Sequence, residues 1–178
     1  MSKIYSTSFL KKLKTCFVLA IVLLLPTQSY ALDIGNKTII GNFEKVAIMP
    51  TSISFKAKID TGAKNSSMHA TDIEYFFLNK KEHIRFKTQN LQNETRSIEL
   101  PVERIAKIKR HGGSSQKRPV VLLGICLGSV YKRIEVTLTD RSKFKARFLI
   151  GVSFIEDNFV VDVSQNYTQK PSCNSLSS

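Results

Sequence analysis

The chain has 178 residues, of which 27 are basic and 14 acidic, so its formal net charge is +13. The length predicts one ordinary domain rather than several. A charge of this size bears on the choice of partners and does not determine the fold.

The first 31 residues have the pattern of a secretory signal. Four lysines precede the apolar run Cys16–Leu25, and the small residues Ser29 and Ala31 follow it, which predicts cleavage after Ala31. The run is short for a membrane span, so an uncleaved N-terminal anchor is the lesser alternative and no stable membrane span is expected after cleavage. Removing these four lysines from the 27 basic residues leaves 23 against 14 acidic ones, or +9. We therefore expect a periplasmic or secreted protein with no nucleic acid partner, whose partners are anionic peptides, envelope polymers or membrane surfaces.

Residues 32–165 have the pattern of one all-β domain, and residues 166–178 that of a polar C-terminal tail. Short apolar or alternating runs follow one another with turn residues between them, a spacing typical of a sandwich or barrel. The predicted strands are Val46–Ile48, Ile53–Ile59, Ile84–Phe86, Ile98–Val102, Val120–Leu127, Ile134–Leu138, Phe148–Ile150 and Phe159–Val163. The predicted turns lie at Gly112-Gly113, Gly124, Gly128-Ser129 and Asp140–Ser142.

One short helical turn is expected at Ser153–Asp157, with Ser153 as its cap. From Gln165 onward the chain is too polar to pack, which predicts a loose tail. An exported chain can join Cys126 to Cys173. Because one lies in an apolar strand and the other in the tail, their separation stays open, and two free thiols are the favoured interpretation.

The tetrapeptide Asp60-Thr61-Gly62-Ala63 directly follows the strand Ile53–Ile59. This strand delivers a carboxylate into a tight turn, where Gly62 lets another backbone come close and the Thr61 hydroxyl can hold the turn. Aspartic peptidases present their catalytic aspartate in this way. Two facing carboxylates share one proton and act as an acid and a base on water. Because the sequence holds one Asp-Thr-Gly, this chemistry requires a homodimer.

Further segments extend the similarity over most of the predicted domain. They are Ile40–Glu44, Lys56–Lys64, Ser66–Ala70, Arg118–Val121, Leu138–Ser142, Leu149–Gly151 and Val160–Val163. Together they resemble the bacterial retropepsin-like aspartic peptidases, many of which carry the older label ATP-dependent zinc protease. The resemblance implies a retropepsin-like closed barrel with a flap hairpin, with Asp60 as the catalytic residue. It also implies that Thr61 and Gly62 stabilise the catalytic loop and that Leu149–Gly151 packs beneath it. The chain departs from the family pattern at Val152, where arginine is usual, and at Asn42, where an aromatic residue is common.

A basic hairpin is predicted where Lys107–Gly113 leads through a glycine tip to Lys117–Pro119. In this fold class a hairpin flap closes over the substrate, although a solvated basic loop is an equal alternative. The residues expected to bind a peptide or protein substrate are Ala63, Lys64, His111, Gly112 and Gly113. Lysines beside the catalytic turn (Lys56, Lys58 and Lys64) would steer acidic peptides toward it. Some members of the family are associated with removing glutamate tails added by ligases, which agrees with this hypothesis by analogy.

No metal or other cofactor is expected. His69, His83 and His111 lie far apart in the sequence, and neither a His-Glu-x-x-His run nor a paired-cysteine cluster is present. We interpret the three histidines as surface or hairpin residues.

Two further carboxylates have simple structural interpretations. Asp140 is expected to pair with Arg141 in a turn, and Asp162 to be a buried, hydrogen-bonded carboxylate. A second catalytic acid within one subunit is the weaker alternative for either. Two other functions stay open: a catalytically silent peptide-binding or regulatory module of the cell envelope, and a basic protein that adheres to anionic envelope surfaces.

Overall fold

The computed structural model describes residues 35–49, 51, 53–110 and 113–173, and the predicted signal segment lies outside them. These residues form twelve β-strands and one short helix, α1, at Val152–Ile155. The strands are β1 Thr38–Ile40, β2 Phe43–Met49, β3 Ile53–Ile59, β4 Ser66–His69, β5 Thr71–Leu78, β6 Lys81–Gln89, β7 Thr95–Pro101, β8 Arg104–Arg110, β9 Gly113–Leu127, β10 Val130–Thr139, β11 Phe148–Ile150 and β12 Phe159–Val161. Within these ranges no helix has the length and apolar character needed to cross a membrane.

Six of the strands close into a barrel. Their hydrogen-bonded order is β10-β4-β11-β3-β2-β9, and β9 pairs back with β10 to complete the circle. Strand β8 pairs with β9 as a hairpin, β5-β6-β7 form a three-stranded antiparallel sheet, and β1 pairs with β12. The predicted all-β, retropepsin-like closed barrel with one short helix is confirmed.

Alternation of apolar residues explains why β3 lines the barrel interior. Its residues Ile53, Phe55, Ala57 and Ile59 are buried. The residues between them face outward, because successive side chains of a strand point to opposite faces. The Phe55 ring packs on that of Phe148 from β11, with 5.9 Å between ring centroids. The strands predicted at Ile53–Ile59 and Phe148–Ile150 therefore coincide with β3 and β11.

The turn predicted at Gly124 is wrong, because this glycine lies inside β9. A Cβ placed there would come within 2.6 Å of the Tyr131 Oη atom. The missing side chain therefore serves close packing of a neighbouring ring rather than chain reversal.

The segment Gln165–Cys173, here called the C-terminal strap, is packed against the domain. The buried Glu44 carboxylate accepts hydrogen bonds from the backbone N–H groups of Thr168 at 3.0 Å and Gln169 at 3.1 Å. The prediction of a loose tail is therefore wrong for these residues. Their polar groups form hydrogen bonds with a buried carboxylate instead of with water.

A disulfide joins Cys126 to Cys173. Ser172 N–H also donates to Gly128 O at 2.7 Å, which holds the end of the strap against the β9–β10 turn. The favoured interpretation of two free thiols is wrong, because the strap returns across the domain to the strand that carries Cys126.

Candidate active site

The Asp60 carboxylate lies at the end of β3 in a turn fixed by backbone hydrogen bonds. Asp60 N–H donates to Ile150 O at 2.9 Å, and Gly62 N–H donates to the Asp60 Oδ1 atom at 3.0 Å. Asp60 is half-buried, whereas Thr61 and Gly62 are exposed. The turn is held by the aspartate itself, so the hydrogen bond expected from the Thr61 hydroxyl is not what fixes it in the single chain.

The turn rests on the segment that follows β11. Val152 N–H donates to Ala63 O at 2.8 Å, and Ser153 N–H donates to Lys64 O at 3.0 Å. These carbonyls satisfy the first donors of α1, so the helix begins at Val152 and Ser153 is not its cap. A Cβ at Gly151 would meet Ala63 O at 2.7 Å. The expected packing of Leu149–Gly151 beneath the catalytic loop is therefore found, and it requires a glycine.

Arg141 places a buried positive charge near Asp60. Its side chain is 7 % exposed, and its Nε atom donates to Ala146 O at 3.2 Å. Burial lowers the pKa of the Arg141 guanidinium, Arg118 lowers it further, and the Asp60 carboxylate opposes both. The Arg141 side chain therefore packs on the segment that leads to β11, with its guanidinium carbon 4.6 Å from the centroid of the Phe144 ring, instead of forming the local pair with Asp140 that was predicted.

His69 is a buried, neutral histidine at the end of β4. Its Nδ1 atom accepts a hydrogen bond from Arg141 N–H at 2.9 Å, so the ring proton sits on Nε2. Burial lowers the pKa of His69, Arg147 lowers it further, and Asp140 opposes them. The Asp140 Oδ1 atom lies 3.4 Å from Nδ1, but this is not an ion pair, because that nitrogen carries no proton. The prediction of a surface histidine is wrong here.

Arg147 immediately precedes β11 and carries buried donors without acceptors. Its Nε and Nη1 atoms are inaccessible to solvent and have no hydrogen-bond partner, and the same holds for the Ser67 Oγ atom of β4. The Arg147 carbonyl accepts a hydrogen bond from His69 N–H at 2.8 Å. Sequence reasoning assigned Arg147 no role, because nothing in the local sequence Ala146-Arg147-Phe148 indicates that part of its guanidinium is inaccessible to solvent.

The predicted basic hairpin is confirmed as β8 and β9. Ala106 pairs with Arg118 and Lys107 with Lys117, and Gly113 begins β9. His111 and Gly112, the expected tip of the flap, lie outside the described residues. The Arg118 side chain donates to the Gln116 Oε1 atom. The hairpin arms are thus in place, while a contact of the tip with substrate stays a prediction.

The lysines near the turn are not equivalent. Lys58 and Lys64 are exposed beside Asp60. The Lys56 Nζ atom lies 4.5 Å from the centroid of the Phe43 ring, and it also faces the Tyr167 ring of the strap. Lys56 is therefore occupied by a cation–π contact, which leaves two of the three predicted lysines free to attract a substrate.

The remaining predicted polar residues have local roles. Asp162 is half-buried and accepts hydrogen bonds from Ser164 and Gln165, and the Ser164 hydroxyl, more than any other group, holds the pKa of that carboxyl below its usual value. The His83 Nδ1 atom lies 3.0 Å from Lys81 O on the surface. Among the described residues, no group of three His, Cys, Asp or Glu side chains is placed to hold a metal ion.

A family model described as "Retropepsin-like aspartic endopeptidase RimB" matches residues 39–172, which is most of the chain. The chain belongs to the RimB-like family. The family pattern extends to the strap that the sequence interpretation had treated as tail.

Relatives of this RimB-like chain carry a different name. A protein named "Probable alpha-L-glutamate ligase" from Shewanella pealeana is 33 % identical over 136 residues, covering 74 % of this chain and 30 % of the relative. One of the same name from Desulfotalea psychrophila is 32 % identical over 134 residues, covering 73 % of this chain and 29 % of the relative. The chain thus spans about 30 % of the length of the curated relatives it matches.

The RimB-like fold also has a crystallographic counterpart. The crystal structure of Lpg0085 from Legionella pneumophila, described as a protein of unknown function (DUF785), superposes with a TM-score of 0.65 at 34 % sequence identity. The match covers 76 % of this chain and all of the other. The fold of most of this chain is therefore shared with an experimentally determined structure.

Proposed function

We propose that this chain is an exported aspartic endopeptidase that works as a homodimer and favours acidic peptides. The observation that carries the proposal is the half-buried Asp60 carboxylate, held by backbone bonds at the end of a barrel strand in a RimB-like chain. A fixed carboxylate in a turn that leaves Thr61 and Gly62 exposed is suited to meet its copy across a twofold axis.

The reaction follows from two such carboxylates sharing one proton. The ionised Asp60 takes a proton from a water molecule as that water attacks the scissile carbonyl carbon. The protonated Asp60 of the second copy donates to the carbonyl oxygen, which gives a tetrahedral intermediate without a covalent enzyme adduct.

Two further observations support the finer parts of the proposal. The Cys126–Cys173 disulfide fits an oxidising compartment, in agreement with the signal pattern of the first 31 residues. Lys58 and Lys64, which are exposed beside Asp60, favour a negatively charged substrate.

The ligase name of the curated relatives does not decide the activity of this chain. Those proteins are more than three times as long as the segment that matches, and their name describes the whole protein. A second candidate function is a catalytically silent peptide-binding module, which would use the same barrel and flap without the carboxylate pair. Association distinguishes the two, because a chain that stays monomeric cannot assemble the pair.

The test is incubation of the mature chain with a diverse peptide pool, followed by mass spectrometry. Asp60→Asn should abolish cleavage with the fold and the dimer intact. Asp72→Asn, which changes an exposed carboxylate paired with Lys87, is the matched control and should cleave normally. Equal cleavage by the Asp60→Asn chain, or a monomer by sedimentation at high concentration, would refute the carboxylate-pair mechanism.

A further inference from the structure

The β5–β6 hairpin carries a cluster of apolar side chains that face solvent. Its strands belong to the three-stranded sheet, which is separate from the barrel. Exposed large apolar side chains are scattered over the rest of the described residues, but Tyr75, Phe77 and Leu78 fall within four positions. Their exposed fractions are 49, 75 and 52 %. These three residues, here called the tip cluster, have no role in the barrel or in the candidate active site.

Strand register explains why these side chains are exposed. Tyr75 pairs with Ile84, which is fully buried, and residues directly opposite each other share a face. Phe77 lies two residues further along the same face. Tyr75 and Phe77 therefore continue the core-facing side of the sheet to a point where the core no longer covers it. The ring between them, Phe76, lies on the other face, where the Arg85 guanidinium carbon covers it at 5.3 Å from the ring centroid.

The turn of the hairpin fixes the tip cluster at its far end. Leu78 pairs with Lys81, so Asn79 and Lys80 form a two-residue loop, with φ angles of 51° and 66°. Positive φ at both loop positions is typical of a type I′ turn, whose twist matches that of the flanking strands. The ladder is therefore regular up to its last pair, and Phe77 and Leu78 are presented by ordered backbone.

The charge beside the tip cluster and over the whole domain is positive. Lys80 and Lys81 are exposed at the turn, and the exposed Glu82 follows them. The Lys81 Nζ atom is 3.8 Å from the Glu103 carboxylate, which is a loose pair, and Lys80 forms no such pair with another described residue. Removing the four signal lysines from the 27 basic residues leaves 23 against 14 acidic ones. The tip cluster is therefore complementary to a surface that is both apolar and anionic.

The area of the tip cluster favours a lipid surface over a second copy of the chain. At about 200 Å² for a whole side chain of this size, the exposed fractions amount to roughly 350 Å². A stable protein–protein interface buries about 800 Å² on each partner, which is more than twice this area. Attachment to a membrane surface needs less, because a few aromatic and leucine side chains enter the headgroup region while nearby lysines attract anionic lipids.

We propose that the tip of the β5–β6 hairpin docks the protein on the surface of a phospholipid bilayer that contains anionic lipids. Phe77 and Leu78 enter the headgroup region, Tyr75 lies at its border, and Lys80 contacts the lipid phosphates. The contact is peripheral, since two or three side chains at a turn do not span a bilayer. This inference goes beyond the proposed peptidase function and does not depend on it, because Asp60 takes no part in the contact.

A tryptophan reporter tests insertion directly, because the chain has no tryptophan of its own. The probe is Phe77→Trp in the mature chain, mixed with vesicles of phosphatidylethanolamine and phosphatidylglycerol. We expect its emission to shift to shorter wavelength and to be quenched by brominated lipid. Phe144→Trp, at an exposed position outside the hairpin, is the matched control and should stay unshifted and unquenched. An unshifted spectrum of Phe77→Trp, or equal quenching at the two positions, would overturn the proposal.

Vesicle sedimentation measures how much the tip cluster contributes to affinity. The double change Phe77→Ser with Leu78→Ser should weaken binding roughly tenfold to a hundredfold, as for the loss of buried apolar side chains. Lys80→Gln should weaken binding to the anionic vesicles about fivefold and leave binding to phosphatidylcholine vesicles unchanged. Leu91→Ser, which alters an exposed leucine outside the hairpin, is the control and should bind as the unaltered chain does.

Two further results would contradict the membrane contact. One is a mature chain that does not sediment with either kind of vesicle, or that sediments equally well with the double change. The other is a double change that alters only self-association in sedimentation velocity, which would show that the tip cluster binds a second copy of the chain.

Discussion

The best-defined structural prediction concerns Glu44, which anchors the C-terminal strap to the barrel. Its side chain is fully buried, and its carboxylate accepts four hydrogen bonds. The Oε1 atom receives Gly41 N–H at 2.6 Å together with the N–H and hydroxyl of Thr168 at 3.0 and 2.7 Å. The Oε2 atom receives Gln169 N–H at 3.1 Å. The change Glu44→Gln keeps the size of the side chain and exchanges one of these acceptors for a donor.

The magnitude follows from this geometry. The least costly orientation turns the new amide NH₂ toward Gln169. The hydrogen bond from Gln169 N–H is then lost, and this N–H and the NH₂ group face each other as buried donors, at a cost of about 1–3 kcal/mol. The three bonds to Oε1 lose charge assistance, and this loss is partly offset because a neutral side chain is easier to bury. We expect Glu44→Gln to lower the free energy of unfolding by about 3 kcal/mol, which corresponds to a fall in Tm of about 10 °C.

Urea unfolding and hydrogen exchange measure this effect. The amides of Thr168 and Gln169 should exchange faster in Glu44→Gln, because local opening of the strap becomes easier. Glu82→Gln, at an exposed position of β6, is the control for loss of one negative charge. A change within about 0.5 kcal/mol, as for ordinary surface substitutions, would refute the view that this carboxylate holds the strap.

Three further predictions concern the scaffold and its pH dependence. Reducing the Cys126–Cys173 disulfide, whose cysteines lie 47 residues apart, should lower stability by about 4 kcal/mol, measured by urea unfolding with and without reductant. Gly151→Ala should destabilise the fold by about 1–3 kcal/mol because its Cβ meets backbone; Gly62→Ala meets no backbone in the single chain, so it should fold normally and lose dimerisation and cleavage. The pKa of His69 is lowered in the folded state, so below pH about 6.5 the unfolded chain binds more protons than the folded chain. Stability should therefore fall as the pH drops from that value through the lower folded pKa. His69→Asn keeps a hydrogen-bond acceptor and should flatten this dependence when Tm is measured against pH.

Strands made of alternating or continuous apolar residues could be predicted from the sequence, and a buried strand made mainly of polar residues could not. Alternation identified β3, and a short apolar run identified β11, each with its observed ends. In β4 all four residues of Ser66–His69 are buried, so two serines and a histidine stand where a half-exposed strand would show alternation. The prediction of a loose tail was wrong for a related reason. The polar side chains and backbone of the strap are hydrogen-bond partners of Glu44, and amino-acid composition alone does not indicate such a long-range contact.

The candidate site was predictable where a motif coincided with a strand end. Asp60 follows β3 and is anchored to Ile150, as the apolar pattern and the family resemblance implied. The arginines were not predictable, because Asp140–Ser142 is a genuine turn, closed by Ser142 N–H donating to the Asp140 carboxylate at 2.8 Å. That local signal gives no indication that the residue between them is buried. The inward orientation of Arg141 depends on the return of the chain to β11, which is a tertiary effect.

Ionic strength tests whether exposed lysines are the source of the acid preference in the proposed site. Lys58 and Lys64 are exposed, so their attraction for an acidic peptide is screened over about 10 Å at 0.1 M salt and over about 3 Å at 1 M. Preference supplied by these lysines should therefore appear in the association rate and vanish at high salt. The measurement compares the association rates of two peptides that differ by one glutamate-to-glutamine change, and a preference for the glutamate peptide that persists at about 1 M salt would show that the surface lysines are not its source.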